Sequence, residues 1–157
     1  MYSFEPLAEN VHHLTDHITI NHITNAEIVQ AALGQSEKMV GFTVSHNNYQ
    51  NHITTAQDAI PKVYQTTLDA FIAGPGIKPP QLLKIDVEGA ETEVLRGAVQ
   101  TLKRWRPILF LALHGAEQQS ACGDLLKSLG YELYGIDGAK IPAAIETDEI
   151  MAIPCEM

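Results

Sequence analysis

The sequence predicts an α/β fold in which a mostly parallel sheet is flanked by helices, and three observations predict it. From residue 82 onward, apolar runs of strand length alternate with segments whose apolar residues recur every three or four positions. Near the N-terminus a short apolar run leads directly into another helical stripe. The 157 residues are 45% apolar and 18% charged, a balance suited to a single domain spanning 1–157 around one core.

Residues 1–5 read as a short strand, and Pro6 suits the first turn of a helix, where its missing N–H costs nothing. Leu7, Val11, Leu14 and Ile18 form one apolar helix face, which should lie on a sheet, while Glu9, His12, His13 and Asp16 fall elsewhere. "AEIVQAALG" reads as a buried strand ended by Gly34, and "KMVGFTVSH" as another that leads into the polar "NNYQN". "IPKVYQTTL" is the next strand, with Pro61 placing its start near an edge. "GPGIKPP", residues 74–80, is a connection within the domain. The alternation that follows is strand "LLKID", helix "AETEVLRGAVQTLKRW", strand "ILFLALH", helix "EQQSACGDLLKSLG" and strands "YELYGI" and "EIMAIP". In the first of these helices Val94, Leu95, Ala98, Leu102 and Trp105 carry the stripe, Gly97 weakens it, and Pro107 ends it.

Charge and composition exclude several function classes. Ten basic against nineteen acidic residues give a formal charge of −9, which repels a phosphate backbone and argues against nucleic acid. No segment has the pattern of a secretory leader or the length of a membrane span, which points to a soluble, cytoplasmic protein. Cys122 and Cys155 lack CxxC spacing and read as reduced, structural thiols. His13 and His17 share a helix face at i, i+4, but no HExxH or Cys/His spacing supplies further zinc ligands, so no metal site is expected there.

In open α/β sheets, ligands sit beyond the carboxyl ends of the strands. That rule selects Glu5, the stretch 31–34 with Ala32 and Leu33, the acidic knot of Asp86, Glu88 and Glu91, and His114. Glu5 has the chemistry to hold ribose hydroxyls, or simply to sit favourably at a helix N-terminus. The knot suits either N-capping or a reacting centre, with Gly89 letting backbone approach a ligand. His114 either shapes an acceptor pocket or bonds to backbone as a structural histidine.

"YSFEPLAEN", "TTLDAF", "LLKIDVEGAETEVLRGA", "RPILFLALHG" and "LGYELYGID", in this order, resemble the FkbM family of S-adenosylmethionine-dependent methyltransferases, with "KIDVEGAE" the most specific segment. The resemblance implies a class I methyltransferase, Rossmann-like fold and methyl transfer to a hydroxyl oxygen of a small molecule or sugar. It implies that Glu5 holds the cofactor's ribose and that Asp86 lies close to the methyl group and the acceptor. Glu88 and Glu91 belong to the same motif with roles the sequence does not separate. The knot would position an acceptor hydroxyl, receive its proton, or hold a divalent cation.

Such proteins carry a first strand and a glycine-rich turn ahead of "FEP", where this sequence begins at "MYSFEP". The expectation is a C-terminal portion of a methyltransferase that binds cofactor poorly alone. The strands around Phe4 and Ile85 would then each lack one hydrogen-bonding neighbour, an uncovered edge that invites association into an oligomer. Two other readings are an NAD-dependent oxidoreductase, disfavoured by the lack of GxGxxG, and a non-catalytic interaction domain or inactive remnant. Residues 45–62 are the longest candidate for an acceptor-facing loop.

Overall fold

Apolar periodicity and turn residues divide the chain into ten strands and five helices among the residues that the computed structural model describes, 1–43, 52–54 and 61–155. Most of the acceptor-loop candidate at 45–62 lies outside them. The first half holds β1 (Tyr2–Phe4), α1 (Ala8–Ile20), β2 (Glu27–Val29), β3 (Ala32–Leu33), β4 (Lys38–Thr43), β5 (His52–Thr54), β6 (Lys62–Thr66) and α2 (Leu68–Ile72). The second holds β7 (Leu82–Ile85), α3 (Glu91–Arg96), α4 (Val99–Trp105), β8 (Ile108–Ala112), α5 (Ala116–Ser128), β9 (Tyr131–Gly135) and β10 (Glu149–Pro154).

The α/β class holds, but hydrogen bonding divides the strands into three sheets and the pairing is mixed rather than mostly parallel. The principal sheet runs β7-β8-β10-β9, with β7 parallel to β8 and β10 antiparallel to both its neighbours. A second sheet runs β3-β6-β4-β5, and β1 pairs with β2 in a parallel ribbon. Among the described residues β1 bonds no strand but β2, and β7 none but β8.

Three sequence expectations change for identifiable reasons. "AEIVQAALG" is two strands in different sheets, because the chain turns at Gln30, where the Ala31 N–H donates to the Val29 carbonyl. The strand after Pro61 is interior, lying between β3 and β4. The helix expected over 90–105 breaks at Gly97. A Cβ there would sit 2.0 Å from the Gly34 carbonyl oxygen, so only glycine allows the two segments to meet. Asp69 in α2 then caps α4 from outside: its Oδ2 accepts from Gln100 N at 2.9 Å and its Oδ1 from Thr101 N at 2.7 Å.

The main core unites Ile85, Leu109, Leu111, Leu133 and Ile150 from the principal sheet with Val94, Leu95, Leu102, Cys122 and Leu126 from the helices and Ala98 from the junction of α3 and α4. Trp105 departs from the expected stripe: it is 42% exposed, with the Arg104 guanidinium 4.7 Å from its ring centre. A smaller cluster of Leu7, Ala32, Val40, Phe42 and Val63 serves the second sheet. Val11, Leu14 and Ile18 are the less exposed side of α1, but no residue of that helix is buried. None of the described helices is long and apolar enough to cross a membrane.

Candidate active site at the ends of β7 and β8

Adjacent parallel strands end side by side, so side chains just beyond β7 and β8 are brought together by their register, in which Ile85 is opposite Leu111. Asp86 follows β7 at once, and His114 follows β8 after the buried Leu113. One ligand atom from each of Asp86, Glu88 and His114 lies within 4.8 Å of the others. Glu88 reaches this corner because its backbone is held at φ 50°, with Gly89 following at φ 96°. A positive φ is costly for a side chain like glutamate, so the surrounding bonds must enforce it.

Those bonds come from three directions. Glu91, the first residue of α3, is fully buried, and its Oε1 accepts from the Gly89 N–H at 2.9 Å. The same oxygen lies 2.7 Å from His114 Nδ1. Since the oxygen accepts, Nδ1 carries the hydrogen and Nε2 is turned toward Glu88, whose Oε2 is 3.4 Å away. From α5, Gln118 Nε2 donates to the Gly89 carbonyl at 2.9 Å, while its Oε1 accepts from the Thr92 N–H and hydroxyl. Gln118 therefore ties the loop to two helices, a role sequence reasoning missed. Its only sequence signal is its position in the first turn of the helix after His114.

Electrostatics follow from this packing. The hydrogen bond to Glu91 raises the His114 pKa above its ordinary value, against the opposing effect of partial burial, and the charges of Glu88, Glu91 and Asp86 act in the same upward direction. Asp86 is exposed and meets Lys84 Nζ at 2.8 Å. An open cleft of about 730 Å³ adjoins the corner, lined by His114, Gly115, Thr147, Asp148 and Glu149 among others.

A family model described as the methyltransferase FkbM domain matches residues 1–135. The chain belongs to the FkbM methyltransferase family. No curated protein matches the sequence. Among solved structures, the crystal structure of methyltransferase FkbM from Methylobacillus flagellatus KT matches with a TM-score of 0.61 and 17% identity, over 97% of this chain and 36% of that one. At that identity the likeness is one of fold, and this chain spans about a third of the matched protein's length.

The remaining candidates lie elsewhere in this FkbM domain. Glu5 follows β1, and its Oε1 accepts from the Leu7 N–H at 2.8 Å, the helix-entry bond that its position before Pro6 allows. It also lines an open cavity of about 420 Å³ with Asn10, His13, Leu14 and His17. Ala32 and Leu33 form β3 of the second sheet, where Ala32 is buried in the smaller cluster and Leu33 is partly buried against the main core. Thus Asp86, Glu88, Glu91 and His114 converge, while Glu5, Ala32 and Leu33 belong to other parts of the fold.

Proposed function

We propose that this chain is one methyltransferase-like domain that transfers a methyl group from S-adenosylmethionine to a hydroxyl oxygen of a small molecule or sugar. The observation that carries the proposal is the convergence of Asp86, Glu88 and His114 at the ends of β7 and β8 in a chain of the FkbM family. Such transfer is a displacement at carbon: the acceptor oxygen forms a bond to the methyl carbon, the bond to sulfur breaks with its electron pair on sulfur, and the hydroxyl proton must go to a base. The corner is rich in proton-accepting atoms, namely the carboxylate oxygens of Asp86 and Glu88 and Nε2 of His114.

S-adenosylmethionine, when bound, supplies an electrophilic methyl group on a positively charged sulfur. Two separate places on the fold carry groups suited to parts of this donor. Among the described residues Glu5 makes its helix-entry bond through Oε1 only, leaving Oε2 for a ribose hydroxyl, and the acidic corner at Asp86 suits a positive centre. The cleft beside His114 favours a polar, uncharged acceptor: Thr147, Asp148 and Glu149 offer hydrogen-bonding groups, while the surrounding carboxylates repel phosphates and carboxylic acids. The acceptor is therefore a hydroxylated metabolite. Cytoplasmic location fits the supply of such a donor.

Incubation of the full chain with methyl-labelled S-adenosylmethionine and panels of neutral hydroxyl and amine acceptors tests the proposal. Label on oxygen of a neutral polyol or sugar is the expected outcome. Label confined to amines, or no transfer by folded protein, overturns it.

A further inference from the structure

The three groups at the site corner are a ligand set as well as a set of bases. We infer that Asp86, Glu88 and His114 bind a divalent cation of the magnesium or manganese type, with Glu91 positioning the histidine. The inference rests on the methyl-transfer reading for its purpose, because a cation there would hold the acceptor's hydroxyl oxygen and make its proton easier to release to solvent.

Geometry is the first support. Oxygen ligands lie about 2.0–2.1 Å from a magnesium ion, so ligands on opposite sides of one ion are at most about 4.2 Å apart. The corner's ligand atoms all lie within 4.8 Å of one another, so one ion can reach all three with small side-chain adjustments. Two carboxylates and one imidazole, on exposed side chains, leave the other coordination positions to water and to an acceptor oxygen.

Glu91 is the second and independent support. A carboxylate buried to 0% exposure is expensive unless its charge is used. Its Oε1 accepts from His114 Nδ1, the arrangement that fixes the tautomer of a metal-binding histidine and turns the bare Nε2 outward. Its Oε2 is buried and has no hydrogen-bond partner among the described residues. Three carboxylates, one of them buried with an unpartnered oxygen, surround a single imidazole and leave the corner short of positive charge. Lys84 supplies one charge, but only through an exposed pair with Asp86, which a divalent ion displaces at little cost.

Electron paramagnetic resonance of Mn²⁺ titrated into the full chain tests this directly. The expected result is one ion bound per chain, with affinity lowered more than tenfold in Asp86→Asn and in Glu88→Gln, both exposed positions whose replacement leaves the core untouched. Glu91→Gln should weaken binding by about 10–100-fold, the range seen when a histidine ligand loses its carboxylate partner. Lys84→Met should bind at least as well as the parent chain. The inference is overturned if Mn²⁺ remains free, or if its binding is unchanged in Asp86→Asn. Methyl transfer that persists in excess chelator overturns the cation site and leaves the methyl-transfer reading standing. Site-specific Mn²⁺ binding without transfer to any acceptor supports the site and overturns that reading.

Discussion

The two faces of the principal sheet differ sharply, and a single strand shows it. Along β8, Leu109 and Leu111 are 0% and 2% exposed beneath the helices, whereas Ile108 and Phe110 are 39% and 37% exposed on the opposite side. Their neighbour Leu82, opposite Ile108, is 56% exposed. One face is a packed core and the other an apolar surface without cover among the described residues. The site corner is held from the packed side, through Glu91, Thr92 and Gln118, which is where preorganisation is available.

The difference should be measurable first as chemical protection. Burial, foremost among its causes, raises the pKa of the Cys122 thiol to about 11, and this residue sits on the core-facing side of α5 with 0% exposure, while Cys155 is exposed. At pH 8 only about one Cys122 in a thousand would be thiolate even before access is considered. A thiol reagent should therefore titrate one cysteine in the native chain and two in denaturant. Two rapidly reacting thiols in the native chain would mean that the packed face is open.

Leu109→Ala should lower stability by about 2–5 kcal/mol in denaturant unfolding, as a truncation that leaves a cavity in a closed core. Phe110→Ala, one residue away, should cost under about 1 kcal/mol and reduce self-association if the outer face is a contact surface. Similar losses at the two positions would erase the distinction between the faces.

Gly97→Ala should destabilise by about 1–3 kcal/mol, because its methyl group would meet backbone at Gly34 rather than a flexible side chain. A smaller effect is expected from Asp69→Ala, about 0.5–2 kcal/mol for loss of the α4 cap, readable as reduced helical ellipticity and a lower unfolding midpoint.

These last two positions show where sequence reading stops. Period and length located β7, α5, β9 and β10 closely, and the rule of strand ends brought Asp86, Glu91 and His114 forward as candidates. Gly97 carried only the local meaning of a weak helix former, since its contact with Gly34 joins residues 63 apart in sequence. The Asp69 cap is likewise non-local. The separate parts played by Glu88 and Glu91 needed burial and φ, neither of which is local in origin: one glutamate is exposed at the corner, the other is buried beneath it. Gln118 had no sequence signal beyond a polar residue in a helix, because its significance lies in three bonds to a loop and helix some 26 to 29 residues earlier.

The central claim is that chemistry takes place at the corner braced by the packed face. Its most direct test is the rate of methyl transfer to a hydroxyl acceptor in the parent chain, Asp86→Asn and Phe110→Ala, each shown by circular dichroism to be folded. The account predicts a loss of about 10²–10⁴-fold in Asp86→Asn and a rate within a few-fold of the parent in Phe110→Ala. Equal rates in the parent and Asp86→Asn would contradict it.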